Sequence, residues 1–220
     1  MLAIEALREK VDREELTDTF RGTPHSPMQL RESDMPKARE WAHYFRPRKT
    51  LRTLGLRKGM TFADLGCGYG TFSIPAAEIV GRKGTVYAID IDQRMVNHVV
   101  QRSRRFMNVR ALVGDITSST SSVFDGLAPH GVDLVLLANV LHGTKNKTSL
   151  LKSASRILSR NGRLVVLNWN VEKTPRGPPM KLRPTPQQTI RYFKRAGYNK
   201  PRVLQVPLYH YAVIADKVSG

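Results

Sequence analysis

Three acids and a run of alternating glycines are the residues of this sequence best placed to do chemistry. Asp64-Leu65-Gly66-Cys67-Gly68-Tyr69-Gly70 sets an acid just before glycines at every second position. Twenty positions after Gly70 comes Asp90, and further on stands Gly114-Asp115-Ile116. Glycines let a backbone turn sharply and come close to a ligand, and an acid about 20 residues on is where a ribose diol is held. Asp115 can accept from an adenine amino group while Ile116 packs on the ring. The remaining group, Ala138-Asn139-Val140-Leu141-His142, ends a fourth apolar run. The dinucleotide fingerprint is G-x-G-x-x-G with a pyrophosphate on the helix N-terminus, whereas here the spacing is G-x-G-x-G with Asp64 alongside. A carboxylate repels a pyrophosphate and attracts an ammonium.

Such residues must be carried to one place by regular elements. Thr61–Leu65, Thr85–Ile89, Val109–Val113, Val132–Leu137 and Arg163–Asn168 read as strands. Thr71–Val80, Asp92–Met107 and Lys147–Leu158, between them, read as helices. This alternation predicts parallel strands joined by right-handed crossovers, with helices on both faces of the sheet. Each candidate residue then falls at the C-terminal end of a strand, beside the point where open α/β sheets bind ligands. Asn161-Gly162 is a turn signal just before a strand. In the tail, Pro186–Ala196 predicts a helix ended by Gly197, and Arg202–Val206 with Tyr209–Ala215 an antiparallel pair. Tyr209 and Tyr211 should share one face of the last strand. The stretch Lys173–Pro186, with five prolines, predicts an ordered loop near the site. Residues 1–50 read as a helical extension: an amphipathic helix over 1–20, a loop, then a helix over Lys37–Leu54 interrupted by Pro47. They are expected to form a lid, with residues 51–220 as the main domain.

Composition narrows the function. The chain has 220 residues, 40% of them hydrophobic, enough for one core. Cys67 is the sole cysteine, which excludes an intramolecular disulfide and a cysteine-based zinc cluster; no metal site is expected. It also disfavours arsenic methylation, which needs a set of thiolates. Neither a targeting segment nor a membrane span is legible, so the expected location is the cytoplasm. The net charge is +18, from 36 basic and 18 acidic residues. Nearly all of the excess lies beyond residue 50, where 26 basic side chains face 9 acidic ones. A field of this sign attracts RNA or an acidic protein. Arg102-Ser103-Arg104-Arg105 at a helix end and a second group from Arg176 to Arg202 concentrate it.

The acid–glycine segment, Asp90 and Gly114-Asp115-Ile116 together resemble the class I S-adenosylmethionine-dependent methyltransferases. The resemblance covers roughly Lys49 to the C-terminus and is nearest to the small ubiquinone/menaquinone-biosynthesis-type (type 11) subgroup. It implies a three-layer Rossmann-like α/β fold with a seven-stranded, mostly parallel sheet whose last strand is antiparallel. It implies that Gly66, Cys67, Gly68 and Gly70 pass under the methionine end of S-adenosylmethionine and that Asp64 contacts the amino group. Asp90 would hold the ribose, Ile91 and Ile116 would sandwich the adenine, Asp115 would bind its amino group, and Asn139 would line the methionine end. Methyl transfer would leave S-adenosylhomocysteine. Since the sulfonium is already activated, positioning can do most of the work, and a base matters only if the acceptor must lose a proton. The candidates for such a role are His142 and Tyr69, with His43-Tyr44-Phe45 and Tyr209-His210-Tyr211 as packing residues. Asn139-Val140-Leu141-His142 lacks the (Asp/Asn)-Pro-Pro-(Tyr/Phe) signature of exocyclic DNA-amine methylation. A non-catalytic RNA-binding or partner-dependent module on the same fold is the alternative reading.

Overall fold

The computed structural model describes residues 45–117, 122–125, 127, 131–174, 177–206 and 208–217. The proposed helix over 1–20, most of the lid, and His43 and Tyr44 lie outside them. Seven strands form one sheet: β1 (Thr61–Leu65), β2 (Thr85–Asp90), β3 (Val109–Val113), β4 (Val132–Ala138), β5 (Leu158–Trp169), β6 (Asn199–Gln205) and β7 (His210–Asp216). Their order across the sheet is β3-β2-β1-β4-β5-β7-β6. The first five are parallel, and β7 runs antiparallel between β5 and β6. Helices α1 (Pro47–Thr53), α2 (Ser73–Val80) and α3 (Gln93–Arg102) cover one face, while α4 (Lys147–Ser155) and α5 (Pro186–Arg195) cover the other. The fold is therefore the three-layer α/β arrangement that the alternating pattern predicts, with the antiparallel last strand that the resemblance implies.

Burial explains why the central strands are apolar on both faces. Phe62, Leu134, Leu136, Val165 and Leu167 pack under α1 and α2, while Ala63, Leu65, Val135, Leu137 and Val166 pack under α4 and α5. Strands covered on both sides read as continuous hydrophobic runs. The order reverses between β1 and β4, so the chain leaves β1 toward β2 and returns to the far side of β1 at β4. The crevice above these two strand ends is where such sheets bind ligands.

Several boundaries differ from expectation for identifiable reasons. The helical stretch is broken at Pro47, as its proline predicts: Phe45 is helical, Arg46 leaves the helix in the left-handed region at φ 42°, and α1 begins at Pro47. A residue preceding proline is disfavoured in the α region. Helix α3 ends at Arg102 and not at Met107, with Asp92 accepting from the Arg94 N–H as its N-cap. Strand β5 starts five residues early: Val132 pairs with Leu158 and Leu134 next with Arg163. Ser159 to Gly162 therefore bulge from the ladder, so the Asn161-Gly162 turn is real but internal to the strand. Tyr209 and Tyr211 do not share a face. Strand β7 begins only at His210, after Leu208 at φ 60°, and the two rings enter cores on opposite sides of the sheet.

The proline-rich loop is held by one side chain that composition placed among surface cations. Arg183 is only 8% exposed. Its Nε donates to the Pro178 carbonyl at 2.7 Å and its Nη1 to the carbonyls of Asn170 and Glu172 at 3.0 and 2.9 Å. Its Nη2 donates to Thr174 Oγ1 at 2.8 Å, and the guanidinium lies 5.4 Å from the Trp169 ring. Only a planar fork of five donors can serve so many acceptors at once. Arg183→Met should cost about 3 kcal/mol of stability by leaving buried carbonyls unpaired, and Arg183→Lys should recover little of it. Urea denaturation of both variants measures this.

Candidate functional site

The site is assembled at the C-terminal ends of β1, β2, β3 and β4. The loop after β1 takes Gly66, Gly68 and Gly70 through φ values of 80°, 49° and 73°. At Gly66 there is also no space, since an added Cβ would lie 2.6 Å from Val140 Cγ2. That contact brings the end of β4 against the glycine loop. The N–H groups of Gly66 and Cys67 both donate to the Ile89 carbonyl, at 2.8 and 2.9 Å. The side chain of Cys67 turns away from the loop and packs with Ala88 and Val99. Burial, then the charges of Asp64 and Asp90, hold its thiol well above the ordinary range.

Asp90 closes the other side. One carboxylate oxygen accepts from the Gly68 N–H at 2.8 Å and the other from the Asp92 N–H at 3.0 Å. Burial, its largest influence, still raises its pKa. Asp64 lies beneath, only 1% exposed, with Ser73 Oγ donating to its Oδ2 at 2.5 Å. Its pKa is pushed up to about 7: burial raises it most, the Ser73 bond opposes, and the charge of Asp90 adds to the rise. A carboxyl so placed gains from a nearby cation.

The remaining candidates line the rim. Ile91 stands 57% exposed beyond β2, while Ile116 is buried within reach of Gly66 and Val140. Asp115 Oδ1 accepts from the backbone N–H and hydroxyl of Thr117, at 2.8 and 2.7 Å. Asn139 adopts φ 57° and donates its N–H to the Leu167 carbonyl at 2.8 Å. Its side-chain Oδ1 is buried without a hydrogen-bond partner. A buried orphan acceptor at a strand end invites a donor from a ligand.

The two candidate catalytic side chains are turned to different neighbours. Tyr69 stacks on His98 of α3, 4.9 Å between ring centroids, and its carbonyl accepts from Arg102. His142 sits in a single 3₁₀ turn, Leu141–Gly143, beyond β4. Burial first, then the charges of Arg183 and Lys147, depress its pKa to about 4. It is neutral at neutral pH and a weak base. Sequence reasoning missed two features. Ser73 carries no signal beyond its position nine residues after Asp64. His210, treated as packing, is 1% exposed with both ring nitrogens unpaired, 4.1 and 4.4 Å between centroids from Trp169 and Phe45. Burial and the charge of Arg183 hold its pKa down at about 3.

This sheet order, with acids at the ends of β1 and β2 and beyond β3 around a glycine loop, defines the class I S-adenosylmethionine-dependent methyltransferase fold. A family model described as a methyltransferase domain matches residues 56–194, and the chain belongs to that family. The ubiquinone/menaquinone biosynthesis C-methyltransferase UbiE of Shewanella sp. (strain ANA-3) is 30% identical over 129 residues, 58% of this chain and 50% of its own length. The probable cobalt-precorrin-6B C(15)-methyltransferase (decarboxylating) of Saccharolobus solfataricus is 25% identical over 53% of this chain and 56% of its own. The chain thus spans about half the length of the curated relatives it matches. A solved SAM-dependent methyltransferase from Aquifex aeolicus aligns with a TM-score of 0.73 at 27% identity, covering 83% of this chain and 97% of that one. Residues 56–194 are thus an S-adenosylmethionine-dependent methyltransferase domain. The residues present fit such a cofactor: an ammonium would satisfy both the raised pKa of Asp64 and the orphan Asn139 oxygen, and exposed Ile91 is an apolar surface that an adenine could cover.

The raised pKa of Asp64 makes stability depend on pH with a definite sign. The folded chain binds this proton more tightly than the unfolded one, whose value is 3.8. Its contribution is full below that value, is lost as pH rises toward about 7, and is flat above. In Asp64→Asn, which keeps the Ser73 contact without the charge, this decline should vanish. Urea denaturation of the ligand-free protein at several pH values between these limits measures it.

Proposed function

We propose that the whole chain binds S-adenosylmethionine across the ends of β1 to β4 and transfers its methyl group to an acceptor nucleophile. The observation that carries the reading is the carboxylate of Asp90 bonded to the Gly68 N–H, which sets a ribose-binding acid against the glycine loop. A carboxylate has about four acceptor positions, so Asp90 can still accept both ribose hydroxyls. Asp64 meets the ammonium, directly or through water, and Gly66, Gly68 and Gly70 keep side chains out of its path. Asn139 Oδ1 takes a further donor from the methionine end. Ile91 and Ile116 enclose the adenine, and Asp115 accepts from its amino group.

When bound, the cofactor supplies an activated methyl group: the acceptor's electron pair forms the new bond to carbon as the carbon–sulfur pair leaves with sulfur, giving S-adenosylhomocysteine. The protein's part is alignment, which can contribute up to roughly 7–11 kcal/mol. With a pKa near 4, His142 serves better as a neutral hydrogen-bonding group than as a strong base. The C-methyltransferase relatives support a carbon nucleophile, while the surplus of basic side chains supports RNA or an acidic protein as the acceptor or its carrier. Residues 1–50 act as a lid in this reading, and the lone buried thiol suits the cytoplasm. Among the described residues no helix is long and apolar enough to cross a membrane, and no group of side chains could hold a metal ion. A non-catalytic RNA-binding module would keep the basic surface but has no use for the intact set of acids.

Calorimetric titration with S-adenosylmethionine and S-adenosylhomocysteine tests the proposal. Micromolar binding is expected, weakened about a hundredfold in Asp90→Ala. Affinity should rise with pH toward about 7, as Asp64 gives up its proton to meet the ammonium, and level off above. Absence of binding in the folded protein would overturn the reading.

A further inference from the structure

The surplus charge is not spread evenly over the molecule. A cleft of about 360 Å³ opens beside the glycine loop, where Arg46, Arg48, Lys49 and Arg102 share the lining with Pro47, Thr71 and Pro75. Arg102 donates to the Tyr69 carbonyl, so one wall of the cleft is fastened to the loop that carries Gly68 and Gly70. Nearby, Glu78 pairs with both Arg48 and Arg105, the latter at 2.9 Å, and so answers two cations with one carboxylate. Among the described residues no carboxylate pairs with Arg46, Lys49 or Arg102. Arg46 is exposed and holds its left-handed backbone beside Pro47, at a position where glycine or asparagine would be less strained.

We infer that this cleft binds the phosphodiester backbone of a single-stranded nucleic acid and lays the strand beside the methyl donor. The inference deepens the proposed function by naming the partner of the same site, and rests on that reading for what the strand is brought to. Three of the four lining cations are arginines, whose planar forks match pairs of phosphate oxygens. The basic side chains continue past the cleft to Arg105, as suits a polymer with one negative charge per unit. A concave cleft admits one strand, whereas an acidic protein would have to present carboxylates at matching intervals. Helix α5 supplies the comparison: Arg191 and Lys194 are exposed on the opposite face of the sheet, outside any such cleft.

Fluorescence anisotropy with the full chain and a short labelled single-stranded RNA, titrated without cofactor at several salt concentrations, tests it. Each phosphate contact on a single strand contributes about 0.7 to the slope of log affinity against log salt, so Arg46→Gln/Lys49→Gln should flatten the slope by about 1.4. At moderate salt the same pair should weaken binding about tenfold, against less than about twofold for Arg191→Gln/Lys194→Gln, which removes equal charge. Equal losses from both pairs would assign binding to net charge alone and overturn the inference. So would undetectable RNA binding, or competition by polyglutamate or phosphatidylserine vesicles as effective as by unlabelled RNA. Because the cofactor titration is independent, failure here would leave the methyltransferase reading standing, and failure there would leave this one measurable.

Discussion

The Asp90 carboxylate ties the end of β2 to the glycine loop after β1, and the geometry of the site depends on that tie. Its two oxygens accept from Gly68 and from Asp92, extending the hold that the Gly66 and Cys67 N–H groups already have on the Ile89 carbonyl. Burial raises the energy of its charge, and backbone N–H groups offset that cost. Asp64, buried deeper under the start of α2 with Ser73 as its visible donor, does not reach the same balance and retains its proton far more readily. The two neighbouring acids thus differ in character: the carboxylate of Asp90 is held by two backbone N–H groups, whereas that of Asp64 has one hydroxyl donor and deeper burial.

Those acids were legible because their spacing is dictated by the fold. A parallel strand, a turn and a crossover helix have nearly fixed lengths, so Asp64, Asp90 and Asp115 recur at intervals set by β1, β2 and β3. Strands β1 and β3 were legible to the residue, each as a short, mostly apolar run set between turns. The misreadings share a cause. Helix α3 keeps an apolar stripe past Arg102 on paper, but the chain must turn to enter β3, which only the third dimension reveals. The bulge in β5 depends on its register with β4, and register carries no local signal.

Arg183 and His210 mark the limit of composition as a guide. Counted by type, Arg183 belongs to a basic surface; in the fold it is enclosed by carbonyls that its own loop presents. His210 occupies an aromatic pocket with Phe45 and Trp169, from which both hydrogen-bonding partners are missing. In each case the deciding fact is a set of neighbours far apart in the chain. Glycines, acids and caps speak through local geometry, whereas a buried cation or imidazole speaks only through its enclosure.

The placement of β7 also governs the order in which the molecule can be made. Strand β5 is paired along Arg163 to Trp169 by residues 210–216, which are synthesised more than 40 residues after it. The ligand-binding crevice at β1 and β4 is encoded entirely before residue 143. A nascent chain therefore carries β1 to β4 and the glycine loop while β5, largely apolar, still presents an open hydrogen-bonding edge. Unpaired edges of that kind recruit other chains. The β6–β7 hairpin thus acts as a seal over that edge.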